Sequence, residues 1–178
     1  MAEEIVDFFT GKKLPDTDME RLRQKVGRFL VEEKGYDKSD IEINIIFETI
    51  ANEKKIVIPI DYIIRLEGKR LILIKCFPTA LITREKVTLA CARLLDNYPI
   101  PLTVITDGFA TEVLDTYSGK VIAEDLNAIP TKNELKEMLP KFRFDPISEE
   151  RKEKEKRILA AFDVWKCPVS CKECSLSS

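Results

Sequence analysis

Residues 59–78 read PIDYIIRLEGKRLILIKCFP, and this stretch decides the fold. Two near-continuous runs of β-branched and leucine side chains flank Glu67-Gly68-Lys69, which predicts two antiparallel strands joined by a tight turn. Runs with so little polar interruption suit central strands covered on both faces. One residue breaks the pattern: Asp61 is a carboxylate among isoleucines, where an apolar side chain would pack more easily. Alternation along the second strand puts Lys75 and Phe77 on one face.

Working outward, DIEINIIFETI (40–50) alternates Ile41, Ile43, Ile45 and Phe47 with more polar neighbours, which is strand periodicity. Before it, Met19, Leu22, Val26, Phe29 and Leu30 recur at helical spacing, and Gly35 stands where a C-cap glycine belongs, which predicts a helix over 17–34. After the hairpin, TREKVTLACARLLDN (83–97) is helical until Pro99 and Pro101 forbid its continuation. PLTVITDG (101–108) predicts a short buried strand and TEVLDTYSGKVIAED (111–125) a hairpin about Ser118-Gly119. Helical pattern resumes at Thr131, and SEERKEKEKRILAAFDVW (148–165) predicts a charged last helix whose charge run reads as a solvated face. A strand returning through a helix implies a right-handed parallel crossover, so the fold class is α/β with a mixed β-sheet flanked by helices.

Composition narrows the chemistry. The 178 residues suit one domain with a tail, and the net charge of −2 supplies no global basic field for nucleic acid. No apolar run is long enough to span a bilayer, and the acidic start MAEEIVDFFTG lacks the parts of a signal peptide, so a cytoplasmic location and no membrane partner are expected. Histidine is absent, which removes histidine general bases, Ser-His triads and Cys-His dyads. Of five cysteines, Cys167, Cys171 and Cys174 crowd the end, while Cys76 and Cys91 lie in apolar segments and read as small buried core residues. An odd, clustered set is not a secreted disulfide framework.

RQKVGRFLVEEKGYDKSDIEI (23–43), IDYIIRLEGKRLILIKCFP (60–78) and PLTVITDG (101–108), in this order and spacing, resemble the N-terminal nuclease domain of type I restriction enzyme R subunits, within the PD-(D/E)xK superfamily. The resemblance covers roughly residues 15–140 and implies a restriction-endonuclease-like domain over 1–140, followed by a charged helix and Cys-rich tail over 141–178. A chain of this length is not expected to carry the helicase motor that follows this domain in those subunits. The family's chemistry uses strand carboxylates to hold a divalent metal that polarises phosphate and activates water, with a lysine two residues on at the same face. Relatives read like LIECKAP on the second strand.

Laid on this sequence, the motif aspartate is Asp61, but its glutamate falls on Lys75 and its lysine on Phe77. Ala90 and Leu94 stand where relatives carry a helix glutamine and tyrosine. A concerted loss of polar function argues for decay of catalysis, with Asp61 kept by an ion pair to Lys75. The resemblance also offers an active alternative, a Mg-dependent endonuclease in which Asp61 and Glu33 bind the ion and Lys75 serves from a shifted position. Glu33 lies near the centre of the first helix's apolar face by periodicity, or reaches solvent at its last turn; Glu20 is a rival.

CPVSCKEC (167–174) has C-x3-C-x2-C spacing, so Cys167, Cys171 and Cys174 are candidate ligands of zinc or an iron-sulfur cluster, with Cys76 or Cys91 as a fourth ligand only if the tail folds back. Unliganded thiols are the plain alternative. Phe162 and Trp165 are expected to anchor the last helix. The functional expectation is an inactive restriction-endonuclease-like domain that binds DNA or a protein partner; the alternatives are the rearranged nuclease and a module built on the cysteine tail.

Overall fold

The hairpin read from residues 59–78 is the centre of a six-stranded sheet in this computed structural model, which describes residues 3–78 and 84–163. Strands β3 (Ile41–Ala51), β4 (Lys54–Leu66), β5 (Lys69–Cys76), β6 (Leu102–Thr106), β7 (Thr111–Asp115) and β8 (Val121–Glu124) lie side by side in chain order. β5 and β6 run parallel and the other neighbours antiparallel. The parallel step is the crossover through α2 (Glu85–Leu94) that the sequence predicts. Glu67 and Gly68 turn β4 into β5 with φ of 51° and 74°, the left-handed pair that a two-residue hairpin turn requires.

Each face of the sheet is covered because β4 and β5 expose apolar side chains on both. Helix α1 (Asp18–Glu32) packs Leu22, Val26 and Leu30 against Ile64, Ile72, Ile74 and Val104. Its N-cap Thr17 accepts from the Glu20 N–H. The opposite face buries Ile58, Ile60, Ile63 and Leu73 under Ala90 and Cys91 of α2 and Leu159 of α4 (Glu149–Asp163). Short α3 (Lys132–Met138) closes the first layer through Leu135.

Two features differ from the sequence reading. Residues 4–15 carry no pattern long enough to predict strands, yet β1 (Glu4–Val6) and β2 (Lys13–Pro15) pair as a small antiparallel sheet. The charged face of α4 is not wholly solvated: Glu155 is buried beside Leu159 and pairs with Arg93 of α2 at 2.9 Å. Burial of a charge demands such a partner, and the neighbouring residues disguise it. No helix among the described residues is long and apolar enough to cross a membrane. The cysteine tail, Trp165 included, lies outside the described residues.

Candidate functional site

Asp61 stands where two paired strands part. The β4–β5 ladder runs from Leu66↔Lys69 to Tyr62↔Ile74 and stops there, so Asp61 and Cys76 face a widening gap. The neighbouring β3–β4 ladder skips one pair at the same level, between Ile43↔Tyr62 and Ile45↔Ile60. The residue opposite Asp61 is Asn44, which takes a left-handed φ of 53°. The buried parity of both strands changes here: Ile60 and Ile45 face α2 and α4, whereas Tyr62 and Ile43 face α1. The rotation brings the Asp61 carboxylate within reach of both layers.

That carboxylate is 5% exposed and engaged on three sides. Its Oδ2 accepts from the Cys76 backbone N–H at 2.7 Å and lies 3.7 Å from Lys75 Nζ, while Oδ1 lies 3.0 Å from Arg23 Nε of α1. The Arg23 contact is a charge pair without hydrogen-bond alignment. Arg23 is held in place by Glu20 at 3.2 Å and by donation to Asn44 Oδ1 at 3.0 Å. Tyr62, next to Asp61, donates to the Arg23 carbonyl at 2.6 Å. Burial works against the Arg23 charge, but Asp61 and Glu20 outweigh it and hold the guanidinium above its ordinary pKa.

Lys75 thus reaches Asp61 as the sequence reading expected, and Phe77 stacks beside it. The ammonium of Lys75 and the guanidinium of Arg84 lie 5.4 and 5.3 Å from the Phe77 ring centroid. They border a groove of about 140 Å³ that Val87, Leu159 and Phe162 complete. Ala90, which the resemblance set against a helix glutamine, is fully buried. Glu33 is exposed at the α1 C-cap. Ten residues separate it from Arg23, roughly 15 Å along the helix. The rival Glu20, in contrast, joins the Asp61 cluster through Arg23.

Arg23 is the member that the sequence reading missed. A signal was present: Arg23 precedes Val26 by three residues and Leu30 by seven, so a cation falls on the apolar stripe of α1. A second strand's worth of separation hid its partner, because nothing local joins residue 23 to residue 61.

The donor set does not fit a hard divalent cation. Such an ion needs converging carboxylate oxygens, and here the second strand presents an ammonium and the helix a guanidinium. Each cation within about 4 Å of a divalent ion would oppose it by about 8 kcal/mol at an effective dielectric of 20, twice the value for two unit charges. Among the described residues no group of three or more Asp, Glu, Cys or His side chains could hold a metal. Burial raises Cys76 well above its usual range and Cys91 to about 12, so both are protonated thiols in the core, as expected for small buried residues.

No curated protein and no solved structure matches the chain. A family model, however, covers the whole span that builds this cluster, from α1 through the parallel crossover to the end of β8. With residues 18–130 matched, the chain belongs to the family described as Type I restriction enzyme R protein N terminus (HSDR_N).

Proposed function

We propose that this domain keeps a PD-(D/E)xK nuclease architecture with a degenerate site, and that it binds DNA without cutting it, in the cytoplasm. The observation that carries this reading is the commitment of Asp61 to Cys76, Lys75 and Arg23. A carboxylate compensated by two protein cations has little left to offer a metal, and a lysine in the glutamate's place removes the second donor. Family membership supports a DNA or protein partner, since these domains serve restriction enzymes. The rearranged nuclease would need Glu33 near Asp61, and the length of α1 separates them.

Incubation of the full chain with supercoiled plasmid and magnesium or manganese tests the catalytic half. The expected result is no nicking above that of an Asp61→Ala variant; magnesium-dependent nicking that Asp61→Ala abolishes would overturn it. Gel shift across a salt series tests the binding half, because phosphate contacts make affinity fall steeply with salt.

A further inference from the structure

The surface of α1 that faces away from the sheet carries a row of rings and cations. At one end the Phe109 ring is 83% exposed, with Lys25 Nζ 3.9 Å from its centroid. Arg28 follows Lys25 by three residues on the helix, so the two are surface neighbours. Arg28 in turn sits 4.7 Å from the Phe8 ring, and Lys38 Nζ lies 4.2 Å from that same ring. The sequence shows no such row because four separate segments supply it.

The row is fixed by its own hydrogen bonds. Lys25 donates to the Gly108 carbonyl at 2.7 Å and Lys38 to the Phe8 carbonyl at 2.7 Å. Asp107 accepts from the backbone N–H groups of Phe109 and Ala110, both at 2.8 Å, which holds the turn that presents the ring. Among the described residues one acid pairs with a cation of the row: Glu32 lies 3.6 Å from Arg28, with both side chains more than half exposed. Exposed pairs of this kind are weak and give way to a phosphate.

We propose that this row docks single-stranded nucleic acid. Phosphates and bases alternate along a strand, and a strand-binding surface answers with cations for the backbone and rings on which bases stack. An acidic peptide would use the cations but leave the open face of Phe109 unmatched. The proposal rests on the nucleic-acid reading above for its partner class, while placing the contact on α1 rather than at Asp61.

Fluorescence anisotropy with the full chain and a labelled oligothymidylate tests it. Phe109→Ala, at an exposed position, is expected to weaken binding roughly tenfold, the scale of one lost stack. Lys25→Gln combined with Arg28→Gln should reduce the slope of log affinity against log salt by about 1.4, as two lost phosphate contacts on a single strand require. Loss of binding in Lys75→Gln but not in Phe109→Ala would overturn the proposal and leave the DNA-binding reading standing. Equal displacement by polyglutamate would mark a surface that reads charge alone and would also overturn it. If the wild type binds neither single strand nor duplex, the proposal and the DNA-binding reading fall together, whereas the nicking assay still judges the catalytic half.

Discussion

The Asp61 carboxylate accepts the backbone N–H of Cys76 at 2.7 Å, in the gap where β4 and β5 separate. The residue that follows β5, Phe77, donates its N–H to the Thr106 carbonyl of β6. Amides alternate direction along a strand, so the Cys76 N–H points back toward β4, where the ladder has ended. A buried amide without a partner is costly, and the carboxylate supplies the acceptor that the diverging strand withholds. Asp61 therefore closes the end of the β4–β5 ladder, where the strands part.

Replacing Asp61 separates its two roles. Asp61→Ala strands the Cys76 N–H and leaves Arg23 short of its charge partner, which should cost about 3 kcal/mol. Asp61→Asn keeps a carbonyl oxygen for the amide and should cost about half as much. Urea denaturation of the two variants checks the order, and equal losses would contradict it.

Gly27 tests the approach of α1 to the sheet. A Cβ there would lie 2.6 Å from Phe9 Cε2 and 2.8 Å from the Tyr62 hydroxyl. Gly→Ala within an exposed helix gains about 1 kcal/mol, but overpacking costs about 1 to 3 kcal/mol. Gly27→Ala should therefore lower the thermal midpoint, and because Tyr62 anchors the Arg23 carbonyl it should also disturb the Asp61 cluster.

Helix α4 is tied to α2 by a buried charge. Arg93 bonds Glu155 at 2.9 Å and also donates to the Thr116 carbonyl at 2.9 Å, while Arg151 reaches the same Glu155 oxygen at 2.8 Å. Glu155→Ala leaves Arg93 buried without its counter-charge and should cost about 3 to 5 kcal/mol. Hydrogen exchange should accelerate most along α4. A loss under 1 kcal/mol would show that the helix is held by Leu159 and its apolar neighbours alone.

Glu112 gives a pH dependence. Burial first, then its hydrogen bond with Glu85 and the charges of Glu85 and Glu124, raise its pKa from 4.5 to about 7. Between these values the folded protein holds a proton that the unfolded chain has released, so stability from this group is whole below pH 4.5 and is lost as pH rises through about 7. The difference in thermal midpoint between wild type and Glu112→Gln should change across this window and level off above it. A difference that stays constant with pH would contradict the shift.

Much of the fold is legible because its elements are long and strongly patterned. The runs of β4 and β5, the stripe of α1 and the prolines after α2 each speak locally, and their order forces the parallel crossover. The Asp61–Lys75 contact is legible for the same reason, since a hairpin fixes which residues oppose one another. What stays hidden depends on groups far apart in the chain. Arg23 meets Asp61 only after α1 docks, and the parity change at Asn44 has no sequence signature beyond an asparagine tolerant of a left-handed φ. Strands of three residues, such as β1 and β2, are too short to show a period.

An Asp61 committed to Arg23 and Lys75 is not expected to hold a metal. Manganese(II) binding followed by electron paramagnetic resonance, wild type against Asp61→Asn, tests it most directly. The expected result is the same number of bound ions and the same affinity in both proteins. A manganese site present in the wild type and lost in Asp61→Asn would contradict it.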